Sequence, residues 1–287
     1  SPQERNGSWR IQDESGTYFN IKNQSARHEF FGKYETISIN YNFGEFHNRI
    51  YKNLLINQNN PKILIVGDSN IFGWLLPDND TFIYKLQEKF FNYNFINASA
   101  GGWSDIDSLN YIKKFCNIIK PEKILFFLDI DRSLRTNNIY FNSNNELKFK
   151  KIEIRKIKKT LNDSHIYNFL ILNSHLFQII KKIYINLSDK NFINHVINNK
   201  QSSLIQKKED IREKTNTDLK LFLSLINKIN AEANICGSEL IYFDRGWYDK
   251  KNNSEIKNLV FQELKTLNEE KNLNFVSLYS KMKEIRE

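Results

Sequence analysis

The run Lys62-Ile63-Leu64-Ile65-Val66-Gly67-Asp68-Ser69-Asn70 constrains this chain more than any other stretch. Ile63 to Val66 are consecutive apolar residues, all but Leu64 β-branched, with the length and composition of a buried strand. Gly67, Asp68, Ser69 and Asn70 favour turns and helix caps, and an apolar, aromatic run follows them. Ser69 therefore falls where a central strand hands over to a helix. In an open α/β sheet that carboxyl end is where ligands bind. Two readings of Ser69 stand side by side. It is either a helix N-cap, or a nucleophile whose Oγ rises above the sheet edge beside N–H groups able to hold an oxyanion.

From Pro61 onward, strand and helix signals alternate. Strands are expected at 63–66, 94–97, 123–128, 239–243 and 274–276. Helices are expected at 81–92 with Asp80 as cap, 105–119, 166–187, 210–235 and 254–270. Ser277 to Arg286 reads as the start of another helix. This alternation predicts a parallel sheet with helices on both faces. Residues 1–60 read as an irregular, partly β arm, including the strict alternation Thr36-Ile37-Ser38-Ile39-Asn40-Tyr41; it is aromatic, too short for its own core, and expected to pack on the main domain of residues 61–287. Residues 132–165 form a polar, Asn-rich insertion at the end of the third strand, placed as a lid would be. No internal repeat is present.

With 287 residues, 40% of them hydrophobic and 14% aromatic, the chain can bury a sizeable core. The net charge of +9 is spread among acids and apolar residues and accompanies no nucleic-acid motif, so a solvated basic surface is expected and no nucleic-acid partner. Cys116 and Cys236 each lie in an apolar helical pattern and read as buried free thiols, not as a disulfide or metal site. No metal and no cofactor are expected. The chain begins at Ser1, which leaves room for a signal peptide or membrane anchor upstream and keeps the compartment open between the cytoplasm and the periplasm or exterior.

The blocks Gly67-Asp68-Ser69-Asn70, Asn97-Ala98-Ser99-Ala100-Gly101-Gly102-Trp103 and Leu128-Asp129-Ile130-Asp131 resemble blocks I, II and III of the SGNH (GDSL-type) hydrolase superfamily. The match spans about residues 61–131, with 33 residues from Ser69 to Gly102 and 62 to Asp131. The resemblance implies a three-layer αβα sandwich on a five-stranded parallel sheet, a flavodoxin-like SGNH hydrolase fold. It implies that Ser69 is the nucleophile, that Gly102 donates to the oxyanion, and that Asp68 fixes the turn. Asn70, Ser99 and Asp131 would line the site. The implied chemistry is ester hydrolysis or acyl transfer through a Ser69 acyl-enzyme, on a small ester or an acylated carbohydrate, and the superfamily's links to surface-polysaccharide modification point the same way. Oligomeric state is left open.

Two departures from that pattern stand out. If Asp131 occupies the Asp of the family's block III Asn-Asp pair, Ile130 sits where the oxyanion Asn belongs, and Ile offers no donor. The family's base comes from a C-terminal Asp-x-x-His, whereas the histidines here are His28, His47, His165, His175 and His195. Either the base lies beyond Glu287, or another histidine such as His175 or His47 substitutes, or the site is degenerate and the protein is a binding or accessory protein on the same fold. A different constellation, Phe126-Phe127-Leu128-Asp129-Ile130-Asp131-Arg132-Ser133-Leu134, resembles the first motif of haloacid dehalogenase-type phosphatases. That reading makes Asp129 and Asp131 the acids of a Mg²⁺-dependent phosphatase, with Asp244 and Asp249 as its later acidic motif.

Overall fold

The computed structural model describes residues 3–5, 10–31, 36–54, 57–129, 139–143, 147–149, 204–244, 255–271 and 273–278. Six strands come from the arm: β1 (Gln3–Arg5), β2 (Arg10–Gln12), β3 (Tyr18–Asn20), β4 (Ser25–Phe31), β5 (Thr36–Phe43) and β6 (Arg49–Ile50). The alternating unit follows: β7 (Lys62–Val66), α1 (Ser69–Phe72), a 3-10 turn (Asp78–Asp80), α2 (Phe82–Lys89), β8 (Asn94–Asn97), α3 (Asp105–Ile119) and β9 (Lys123–Phe127). A small hairpin of β10 (Ile139–Phe141) and β11 (Leu147–Phe149) precedes α4 (Leu204–Ile235), β12 (Glu239–Phe243), α5 (Glu255–Lys271) and β13 (Phe275–Val276). The chain divides into two compact units, residues 1–151 with 215–287, and residues 152–214. Of the second, the described part is the opening of α4, which starts at Leu204 and not at the expected 210. The expected helix over 166–187 lies outside the described residues, as do most of 132–165, of 190–208 and of 277–286.

In the first unit, β8, β7, β9, β12 and β13 lie side by side, every pair parallel. Numbered among themselves they run 2-1-3-4-5, the flavodoxin-like order. Alternate residues of β7 face opposite ways: Leu64 and Val66 join a cluster with α3, α4 and α5, while Ile63 and Ile65 join Ile83 of α2 and Phe127. Both faces of the sheet are therefore covered, as a parallel sheet requires. The expected α/β sandwich is what forms. Thr81, not Asp80, caps α2, its Oγ1 accepting from Tyr84 N at 3.3 Å.

The arm does more than pack against this sheet. β1, β4, β5 and β6 continue it antiparallel, giving a nine-stranded sheet among the described residues, joined through Arg49 opposite Asn97. The arm also gathers its own apolar cluster of Ile21, Ala26, Tyr41 and Phe43, closed by Phe72 of α1. Elsewhere it straps the strand-end loops. Trp103 Nε1 donates to Tyr18 O at 2.7 Å, Asn20 Nδ2 donates to Ser99 O at 3.2 Å, and Leu75 N donates to Tyr41 Oη at 2.9 Å.

The cysteines correct the sequence reading. Cys116 of α3 and Cys236, just after α4, form a disulfide with Cα atoms 5.9 Å apart, inside the range such bridges span. Their 120-residue separation conceals the pairing in the sequence; it is made when both helices pack on the same sheet face. Among the described residues no helix is long and apolar enough to cross a membrane.

Candidate active site

The sheet's strand order reverses between β7 and β9, which puts the carboxyl end of β7 at the switch point where open α/β sheets bind ligands. Gly67 opens the turn there. A Cβ on Gly67 would lie 2.6 Å from Ile71 Cγ1, so only glycine lets α1 fold back this closely. Asp68 follows, buried and in extended geometry, as the N-cap of α1: its Oδ1 accepts from Asn70 N at 3.0 Å and its Oδ2 from Asn70 Nδ2 at 3.3 Å. The cap is therefore Asp68. Ser69 is left half-exposed at the first position of the helix, with no hydrogen bond from its Oγ among the described residues. Asn70 is exposed beside it. Gly73 ends α1 in the left-handed region at φ 78°.

The loop after β8 runs alongside, Ala100 N donating to Gly67 O at 3.4 Å. Gly102 is exposed with φ 82°, a conformation that favours glycine. The N–H groups of Ser69 and Gly102 donate to no acceptor among the described residues. Ser99 is wholly buried: its N–H donates to Asn97 Oδ1 at 3.2 Å, its Oγ lies 3.5 Å from Ile65 O, and its carbonyl takes Asn20 Nδ2. Ser99 thus braces the loop from inside and has no face toward a ligand. Asp131 and Ile130 lie outside the described residues. Asp129, at the end of β9, is buried with its N–H donating to Asp105 Oδ1 at 2.9 Å. Asp244, at the end of β12, accepts from Ser277 Oγ at 2.7 Å and from Leu278 N at 2.9 Å, which ties it to the segment after β13.

Three residues that sequence reasoning passed over shape this site. Arg10 of β2 brings its guanidinium against the glycine pair: a Cβ on Gly101 would meet its Nη2 at 2.6 Å, and one on Gly102 its Nη1 at 3.6 Å. Trp74 lies under that guanidinium, 5.9 Å from its carbon to the ring centroid, and Trp74 N donates to Ser69 O at 3.0 Å. Arg49 holds the far end of α1, its Nη1 donating to Phe72 O at 3.0 Å and Gly73 O at 2.9 Å. No local pattern flags residues that meet across so many positions.

The described histidines sit elsewhere. His47 Nδ1 lies 2.5 Å from Asn20 O, and its ring packs between Phe19 and Phe115 of α3. Burial holds its pKa below the ordinary imidazole value, the bond to Asn20 O opposing. These contacts place His47 with the arm and α3 rather than with α1. His28 is fully buried, its ring edge-on to Trp74 at 4.8 Å and 6.5 Å from that of Tyr41. His165, His175 and His195 lie outside the described residues.

No family model matches the chain, and no curated protein matches it. Among solved structures it is similar to a member of the lipolytic protein G-D-S-L family from Veillonella parvula, with 11% identity over 78% of this chain and 81% of that one, at a TM-score of 0.42. The psychrotrophic esterase EstA from a Pseudoalteromonas species gives 12% identity over 76% and 78%, at 0.39. TesA gives 11% over 75% and 76%, also at 0.39. The fold assignment rests on this chain's own strand order and registers. The chain is an α/β protein of flavodoxin-like strand order, and proteins described as esterases or as lipolytic G-D-S-L members are among the solved structures it is similar to.

Proposed function

We propose that the protein is an SGNH-type serine hydrolase, an esterase or O-acyltransferase working through a Ser69 acyl-enzyme on an acylated carbohydrate or small ester. The observation that carries this reading is Ser69 itself: half-exposed at the switch point, relieved of capping by Asp68, with its own N–H and that of Gly102 unspent on described acceptors. In this reading Ser69 Oγ attacks the ester carbonyl and its proton passes to a histidine outside the described residues, such as His175 or one beyond Glu287, which later returns it to the leaving alcohol. The carbonyl oxygen becomes an oxyanion facing the N–H groups of Ser69 and Gly102. The alcohol leaves with a proton, and water or a second alcohol then releases the acyl group.

Ile130 removes the side-chain donor that the resemblance leads one to expect, a loss typically worth about 2.7–4 kcal/mol of transition-state stabilisation. Arg10, against Gly102, supports the reading from the other side: its fixed positive charge beside the developing oxyanion compensates for the missing amide. Asp68 and Asn70 keep the turn shaped; Asp131 lines the site in this reading, by its place in block III.

The test is turnover of p-nitrophenyl acetate and of acetylated sugars by the wild type and by Ser69→Ala. We expect wild-type hydrolysis to fall to background in the variant, a loss of about a thousandfold or more. Equal turnover by both proteins would remove Ser69 from the chemistry. A wild type inert toward every ester would favour the binding-protein reading of the same fold.

A further inference from the structure

A second concavity, of about 770 Å³, lies on the outward face of the arm's strands. Its floor is the β5 run of Ser38, Ile39, Asn40 and Asn42, while Tyr41 and Phe43 point the other way into the arm's apolar cluster. Lys52 and Asn53 form one wall, and the turn Pro77-Asp78-Asn79 with Tyr84 of α2 forms the other. The outward face of an antiparallel sheet needs only to be solvated, but this one is walled, and within the size range of ligand sites.

Its chemistry is selective. Among the described residues, the side-chain amides of Asn40, Asn53 and Asn79 make no hydrogen bond, whereas Asn42 Oδ1 already accepts from Ser25 Oγ at 2.7 Å. Each free amide offers a donor and an acceptor in one plane, which suits paired hydroxyls. The charges beside it are paired: Asp78 with Arg49 at 2.7 Å, and Arg27, opposite Asn40 on β4, with Glu29 while it donates to Ser38 Oγ at 3.1 Å, which leaves Lys52 as the one cation in the lining among the described residues. Tyr84, half-exposed and held edge-on against Tyr51 at 5.8 Å between centroids, supplies an amphipathic ring at the rim. The turn that carries Asp78 is tied to a buried arginine.

We infer that this groove binds a neutral oligosaccharide, the amides taking its hydroxyls and Tyr84 covering an apolar face of a sugar ring. The inference does not depend on the Ser69 chemistry. It also places the ligand against Asp78, whose partner Arg49 grips the end of α1, so a chain held here would touch the same framework that positions Ser69.

The experiment is a ¹⁵N–¹H NMR titration of the full chain with maltohexaose, cellohexaose and N-acetylchitohexaose. At least one is expected to give saturable shifts, retained in Ser69→Ala and weakened about tenfold or more in Asn40→Ala/Asn79→Ala. Tyr84→Phe keeps the ring and should keep most of the binding, while Tyr84→Ala should not. The absence of saturable shifts with all three sugars at about 10 mM, or equal affinity in the folded double variant, overturns the inference. Because Ser69→Ala is measured in parallel, a failure of the esterase reading leaves the binding result standing.

Discussion

Arg49 Nη2 donates to Asp78 Oδ1 at 2.7 Å, and the same guanidinium reaches three backbone carbonyls, those of Phe72, Gly73 and Leu76. The arginine side chain is fully buried, stacked among the rings of Tyr41, Tyr51 and Phe72. One residue of the arm thereby closes the end of α1, whose first residue is Ser69. Removing it would strand a carboxylate and several carbonyls. Arg49→Ala should lower stability by about 3–5 kcal/mol in chemical denaturation, and Arg49→Lys should recover little, because an ammonium cannot span the fork of acceptors.

Gly101, in the loop after β8, has no room for a side chain under Arg10 and Trp74. Gly101→Ala should displace Arg10 or Trp74 and cost about 1–3 kcal/mol. On the proposed mechanism, in which its charge faces the oxyanion and not the bound ester, Arg10→Ala should lower kcat for ester turnover about tenfold or more with little change in KM. Arg10→Lys should restore part of the loss.

The Cys116–Cys236 bridge closes a long loop between α3 and the end of α4. Thiol titration of the native, unreduced protein should find no free thiol, and two after denaturation with reductant. Reduction, or the Cys116→Ser/Cys236→Ser variant, should lower stability by about 2–4 kcal/mol.

His47 gives a pH signature. Burial depresses its folded pKa below the unfolded value of about 6.5. The unfolded chain therefore binds the proton more readily, so stability is complete above about pH 6.5 and declines as pH falls below it. His47 has φ 59°, which asparagine tolerates well. A thermal melt series from about pH 7.5 to pH 5 should show a declining Tm for the wild type and a flatter profile for His47→Asn.

Much of the fold was legible because β7, β8, β9 and β12 announce themselves as short apolar runs cut by turn residues, and their parallel pairing follows from the helices between them. The Gly67–Ser69 turn was legible for the same reason, being local. What escaped was non-local. β6 is two residues long and joins the sheets through one pairing, Arg49 opposite Asn97, too short for any periodicity to reveal. Ser99 looked like a loop residue able to meet a ligand, but its carbonyl and N–H are taken by Asn20 and Asn97, contacts that exist only once the arm is docked. The cysteines looked like core residues of separate helices, and only the packing of both on one sheet face brings them together.

A nucleophilic Ser69 has a chemical signature. Its most direct test is covalent labelling of the whole chain with a fluorophosphonate, read by intact mass and by mapping the modified peptide. One adduct per chain is expected, on Ser69, and none in Ser69→Ala. A wild type that takes no label, or an adduct that persists in Ser69→Ala, would contradict it.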